Sequence, residues 1–320
     1  MESEVKTILH DEDHDVNKIM DNGLTPLSSA VVMGYDKIVE VLLSKANINV
    51  NMPDNNGLTP LHKASIRGCD GIANSLIGHS DINVNIPDHG GQTPLYKAVS
   101  EGHALIVDQL LKQEHIEVNL AENMGKTPLH KAAFNGHCTI VKMLLHHQQI
   151  QVNATDKKGN TALHNAAFER QLEVVQLLVR HQDIALNIPN NNGYTPLNGS
   201  ARFGYDDVVQ ELISHERIEV NVATHCNSTP VGFAAFYGHK KVLDLVLKNT
   251  SAEFLNKVDK DGETPLTMAV KNGHEDIVDA ILRHPHVDVS MKDELSGTTP
   301  LALARVEGNQ KIIALLERKL

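Results

Sequence analysis

The chain has 320 residues, 41% of them hydrophobic, with 29 Lys and Arg against 40 Asp and Glu, a formal charge of −11 with His neutral. Aromatic residues make up only 3% and Trp is missing, so a core must be built from Leu, Ile, Val and Ala. The acidic balance excludes a surface made for nucleic acid, where phosphates are met by clustered Lys and Arg, and no apolar run approaches the ~20 residues of a membrane span.

Residues 1–22 are acidic, with Glu2, Glu4, Asp11, Glu12, Asp13, Asp15 and Asp21 against Lys6 and Lys18. This start lacks the basic and apolar regions of an export signal. Cys69, Cys138 and Cys226 are too few and too scattered for a disulfide framework and fit a reducing compartment. An intracellular protein is expected, and the formal glycosylation triplets at Asn198, Asn227 and Asn249 then read as chance.

Within that stretch, Val5, Ile8 and Leu9 sit 34 residues before apolar columns that recur through the chain, which predicts an N-terminal half-repeat acting as a cap. From there one unit repeats. Thr-Pro-Leu or a near copy begins at Thr25, Thr59, Thr93, Thr127, Thr161, Thr195, Thr229, Thr264 and Thr299, spaced by 34 six times and then by 35 twice. Full units start near 23, 57, 91, 125, 159, 193, 227, 262 and 297. In each, Thr suits a helix N-cap and Pro the first helical position, where no amide hydrogen is needed. Leu and Ala follow on one face, as in Leu129, Ala132 and Ala133, and a Gly such as Gly136 ends the short helix. A second helix is marked by an apolar face such as Ile140, Val141, Leu144 and Leu145. An extended piece such as Ile82-Asn83-Val84-Asn85 leads to an Asp-x-x-Gly turn, as at Asp54 to Gly57. Helix pairs this short cannot bury both faces alone, so the units must stack into a solenoid.

Some copies break the pattern. Arg170-Gln171 replaces the Gly-His that should end a first helix, and Thr224-His225-Cys226-Asn227 lacks the usual turn Asp and Gly. The eighth unit gains a residue within 248–255, and Asp293-Glu294-Leu295-Ser296-Gly297 lengthens the turn before the ninth. Ile312, Ile313, Leu315 and Leu316 belong to the last helix.

The run Thr127-Pro128-Leu129-His130-Lys131-Ala132-Ala133-Phe134-Asn135-Gly136-His137, followed by Ile140-Val141 and Leu144-Leu145, resembles an ankyrin repeat, and the resemblance covers about residues 4–320. It implies a mainly α solenoid of stacked helix–loop–helix units with projecting β-hairpins: nine full repeats plus the N-terminal half-repeat of residues 1–22, in one array over 1–320. It also implies a scaffold that binds another protein through its concave face without catalysis or cofactor. A monomer is expected, with no nucleic-acid partner and no membrane insertion. Asn-rich turns and a 34-residue period are similar to arrays in intracellular bacteria and protists, which raises a host-directed effector as a further reading.

In such arrays the slots before the Thr and before the helix-ending Gly face the partner. Here they hold much of the chain's small aromatic stock. Phe134, Phe168, Phe203, Phe236 and Tyr237 lie in the helix-one slots and Tyr194 before a Thr, with Asn135, Glu169 and Arg202 beside them. Aromatics bury large areas with few rotors and are enriched in binding hot spots; packing over a neighbouring repeat is the other reading of the same residues. The column Asn51, Asn85, Asn119, Asn153, Asn187 and Asn221 is similar to the Asn that an intracellular asparaginyl hydroxylase modifies in this family, with a bond across the hairpin base as the alternative.

Nineteen His invite a metal-dependent alternative. Their column positions argue against it, since neighbours in a column lie roughly a helix-packing distance of ~10 Å apart, far beyond the ~2 Å of Zn–N bonds. The resemblance gives His62, His130 and His164 a backbone-bonding role. His79, His147, His181, His215 and His284 follow helix two, where a cation suits the helix dipole and stabilises as pH falls. Gly125-Lys126-Thr127 resembles the end of a phosphate loop, but Leu120 stands where the first Gly belongs and Pro128 removes an amide.

Overall fold

A computed structural model describes residues 15–20, 23–293 and 297–320. The chain divides into two compact units, Met1–Lys157 and Lys158–Leu320, and the regular elements among the described residues are all helices. The first unit holds four helix pairs: α1 (Pro26–Met33) with α2 (Asp36–Leu43), α3 (Pro60–Arg67) with α4 (Asp70–Ile77), α5 (Pro94–Glu101) with α6 (Ala104–Leu111), and α7 (Pro128–Asn135) with α8 (Cys138–Leu145). The second holds α9 (Ala162–Phe168) with α10 (Leu172–Val179), α11 (Pro196–Phe203) with α12 (Asp206–Ile213), α13 (Pro230–Tyr237) with α14 (Lys240–Leu247), a single turn α15 (Ala252–Leu255), α16 (Pro265–Lys271) with α17 (Glu275–Leu282), and α18 (Pro300–Glu307) with α19 (Gln310–Glu317). Val5, Ile8 and Leu9, which carry the expected half-repeat, lie outside the described residues, as do residues 294–296.

Each repeat opens as its Thr predicts. Thr127 is extended, with φ −77° and ψ 167°, and its side chain accepts from the His130 amide. The opening Thr of every other repeat caps in the same way, from Thr25 to Thr299. The helices are too short to persist alone in water. Packing holds them: Leu61, Ala64, Leu129, Ala132, Val141 and Leu144 are buried, and the small Ala column lets helix one of successive repeats approach closely. Full burial of a Leu or Ile side chain stabilises by roughly 1.5–3 kcal/mol.

The segment after helix two alternates in burial rather than pairing as a strand. Ile116 and Val118 turn under the helices while Asn119 stays half-buried. The projecting loops are turns closed by a few bonds, too short for a strand ladder. In the second repeat Asp54 N–H donates to the Leu58 carbonyl at 3.0 Å, and Gly57 takes the positive φ (80°) that the tip requires. Successive tips are joined by single backbone bonds, such as Asn123 N–H to the Gly90 carbonyl at 2.9 Å.

Two columns of His tie several repeats to a neighbour. His62 is buried; its Nδ1 accepts from the Thr59 N–H at 3.1 Å and its Nε2 donates to the Gln92 carbonyl of the next repeat at 2.9 Å. His164 does the same with Thr161 and Tyr194. Asn198 fills the equivalent place with the same geometry, its Oδ1 taking the Thr195 N–H and its Nδ2 reaching the Val222 carbonyl at 3.0 Å. In the second column, His103 Nε2 reaches back to the Ile66 carbonyl at 3.2 Å, and the ring lies against Gly68, where a Cβ would come within 2.5 Å of it. Gly34 has the same left-handed φ, 72°, but nothing within 4 Å of its Cβ position, because Cys69 stands where the next repeat would supply the His.

Four of the five His residues after helix two are held by a local bond: Nδ1 of His79, His147, His181 and His284 accepts from the N–H two residues on. Burial first, then His286 and Lys319, pushes His284 below its usual pKa. His215 alone of this group faces a carboxylate, Glu211, at 3.7 Å.

The irregular copies keep the frame by local adjustment. Arg170 takes φ 53° in place of Gly, with its Nε 3.2 Å from Asp207 and its guanidinium over the Tyr205 ring. Asn227 takes φ 57° in place of the tip Gly. The extra residue that precedes the eighth repeat is absorbed by α15, which buries Leu255.

Two stability tests follow from these ties. Burial, with smaller opposing help from the Gln92 carbonyl and Asp88, lowers the His62 pKa below its ordinary 6.5, so the folded chain prefers the neutral ring. Its contribution is complete above pH 6.5 and is lost as pH falls from there towards the folded value, because the unfolded chain then binds the proton first. His62→Asn, which keeps the bonds that Asn198 shows, is expected to flatten the fall in unfolding midpoint between about pH 7.5 and 5.5, measured by urea denaturation. Gly34→Ala is expected to cost about 1–2 kcal/mol for its left-handed backbone. Gly68→Ala should cost about 1 kcal/mol more, because it also displaces His103 from its carbonyl.

Candidate functional site

The exposed slots of helix one lie in its last turn, just before the residue that turns the chain. In the first unit this places Phe134 40% exposed at the end of α7, with Lys126 and Lys131 Nζ each 5.6 Å from the ring centroid. Asn135 beside it is engaged in the frame, since its Nδ2 donates to the Ser100 carbonyl at 2.9 Å.

The second unit holds the larger cluster. Phe203, Phe236 and Tyr237 are 49%, 40% and 43% exposed at the ends of α11 and α13. Phe203 stacks on Tyr205 at 5.6 Å between centroids, and Phe236 meets Tyr237 edge-on at 4.9 Å. Arg202 lies 5.8 Å from the centroid of Tyr194 and 5.9 Å from that of Phe203, and it donates to the Tyr194 hydroxyl at 3.1 Å. Burial disfavours its charge, but hydrogen bonds to Tyr237 and Tyr194 outweigh that and raise its pKa. The cation is therefore held among three rings, those of Tyr194, Phe203 and Tyr237.

Other members of the aromatic set pack into the frame. Phe168 lies directly over Gly199 of the next repeat, where a Cβ would fall 1.9 Å from its ring, and it meets Phe203 edge-on at 6.4 Å. Tyr194 is half-buried and stacks on Phe233 at 5.5 Å. Glu169 is exposed just beyond α9. Phe233, Tyr205 and Met268 join this region without having been singled out by their sequence positions; nothing in the repeat pattern marks Phe233, because its column holds Lys in earlier copies.

A family model described as ankyrin repeats (3 copies) matches residues 2–88, 83–156, 148–224, 200–293 and 231–319. The chain belongs to the ankyrin-repeat family. Ankyrin repeats are generally protein–protein interaction modules and are typically non-catalytic. No curated protein matches the chain. Among the described residues no helix is long and apolar enough to cross a membrane, and no three metal-capable side chains converge. The ankyrin-repeat His columns are spent on backbone carbonyls and amides instead.

The Asn column clips each repeat to the next rather than closing its own hairpin. Asn85 Nδ2 donates to the His115 carbonyl at 2.7 Å and its Oδ1 accepts from Glu117 N–H at 3.0 Å. Asn51, Asn119, Asn187 and Asn221 make the same two bonds one repeat on. Asn153 is half-buried and also bonded. Asn17 and Asn256 extend the column at either end. Asn85→Ala should therefore lower stability by about 2 kcal/mol, for two lost bonds. Asn83→Ala, which removes only a local acceptor for the Asn85 N–H, should lower it by about half as much or less. Chemical denaturation of the two variants decides this.

Proposed function

We propose that this ankyrin-repeat chain is a non-catalytic scaffold that captures a partner protein through the helix-one face of its second unit, with Phe203, Phe236, Tyr237 and Arg202 as the anchoring residues. One observation carries the reading: three large aromatics stand 40–49% exposed yet are fixed by one another and by Arg202. Exposed aromatics beside an arginine match the composition of binding hot spots. Their fixed geometry limits the entropy lost on association, which is the chief cost that a rigid surface avoids. Phe134, with its two lysines, offers a smaller anchor on the first unit. Phe168 and Tyr194 support the face from below rather than meeting the partner.

The test is affinity capture from lysate with mass spectrometry, comparing the parent chain with Phe203→Ala/Phe236→Ala/Tyr237→Ala after circular dichroism has shown equal helix content. A protein retained by the parent and lost from the triple variant is the expected result. Retention by both would move the site off this face.

A further inference from the structure

We propose that a cleft beside this face, between α13, α16 and the turn Asp259–Gly262, receives the cationic side chain of a lysine or arginine carried by the partner's bound segment. The inference rests on the second unit's face being the partner site, and it specifies the chemistry of one contact there.

The argument comes from a lysine column. Four residues after the opening Thr, the second and third repeats carry Lys63 and Lys97, and each reaches the carboxylate of its own repeat's turn. Lys63 Nζ pairs with Asp54 Oδ2, both side chains 8% exposed, and Lys97 Nζ lies 2.9 Å from Asp88 Oδ2. Asp54 uses its other oxygen on the turn, accepting from the N–H groups of Asn56 and Leu58. Burial alone would raise the Asp54 pKa; the bond from Lys63 and the two amides outweigh it and hold the carboxyl below its usual range.

The eighth repeat retains half of this arrangement. Asp259 stands at the turn, and its Oδ1 accepts from Asp261 N–H at 2.9 Å and Glu263 N–H at 3.2 Å. The column position opposite is Met268, and Asp259 has no ion pair among the described residues. The nearby Lys271 is committed to Glu263.

The space between is a cleft of about 150 Å³. It is lined by Phe233, Phe236 and Tyr237, by Met268, and by Asp259, Lys260 and Asp261 of the turn. Gly232 also lines it, with the Met268 sulfur 3.8 Å from its Cβ position. Pockets for small molecules run to about 300–1,000 Å³, so this one fits a single extended side chain. Aromatic walls attract an alkyl stem along their area and a cation at their faces. Two carboxylates against one lysine leave the lip net negative, and a basic side chain completes it as Lys63 completes Asp54.

The test uses the full chain with ¹³C-methyl-labelled Met, titrated with Nα-acetyl-lysine N-methylamide, the arginine analogue and the neutral norleucine analogue. The expected result is a saturable shift of the Met268 methyl with the two cationic probes, in the range of about 1–10 mM. The norleucine probe, and the cationic probes against Asp259→Asn, should bind about fivefold more weakly or not at all. Asp259→Asn keeps the turn, since Asn190 fills the same position and accepts from Asn192 and Tyr194 N–H at 3.0 Å each. Met268→Lys should raise the unfolding midpoint by supplying the missing ion pair internally. Equal shifts from lysine and norleucine probes, no saturable shift, or cationic affinity unchanged in Asp259→Asn would each overturn the proposal. If the aromatic triple variant loses a partner while Met268 is indifferent to the lysine probe, the face stands and the cationic cleft fails. A Met268 response that depends on Asp259, with capture unchanged in the triple variant, keeps the cleft and removes the face.

Discussion

In a helix of eight residues, half the backbone N–H groups and half the carbonyls have no partner within the helix. The main constraint on this chain is therefore where those ends find their bonds. Thr caps answer for the first turns. The C-cap residue's own N–H meets carbonyls of the last turn, as Gly68 does for Ala64, and further bonds come from other copies: His103 reaches the last-turn carbonyl of Ile66, while His62 and Asn51 bond the loop carbonyls of Gln92 and Asp81. Each tie needs a neighbour in place, so no repeat is complete alone. Stability then builds as a chain of nearest-neighbour terms rather than around one centre.

The same constraint explains which positions vary and how. Asn replaces His at 198 without loss, because an amide offers the same acceptor and donor in the same directions. Arg replaces Gly at 170 only with a left-handed backbone, and its guanidinium is tied down by Asp207 and Tyr205. Met replaces Lys at 268 and leaves a turn carboxylate without its internal cation. The first substitution is structural equivalence and the second is compensated strain. The third is the substitution on which the proposed cation cleft rests, and it lies beside the aromatic cluster. In the slot before the helix-ending Gly, Asn135 bonds the Ser100 carbonyl, whereas Phe203 and Tyr237 stand there largely exposed.

The sequence by itself determined the repeat, its period, the cap at each Thr, the left-handed Gly and the apolar columns, because all of these act within a few residues of one another. It also marked the aromatic slots. What it left open was decided by contacts one repeat away. Phe168 became a packing residue because Gly199 of the next copy leaves room for its ring, while Phe236, in the same column, stays 40% exposed. The Asn column bonds forward to the next repeat, because packing sets the direction in which each side chain points. The cleft beside Met268 likewise needed the tertiary structure: only there do a turn carboxylate, a missing lysine and the three aromatic rings of the preceding repeat meet.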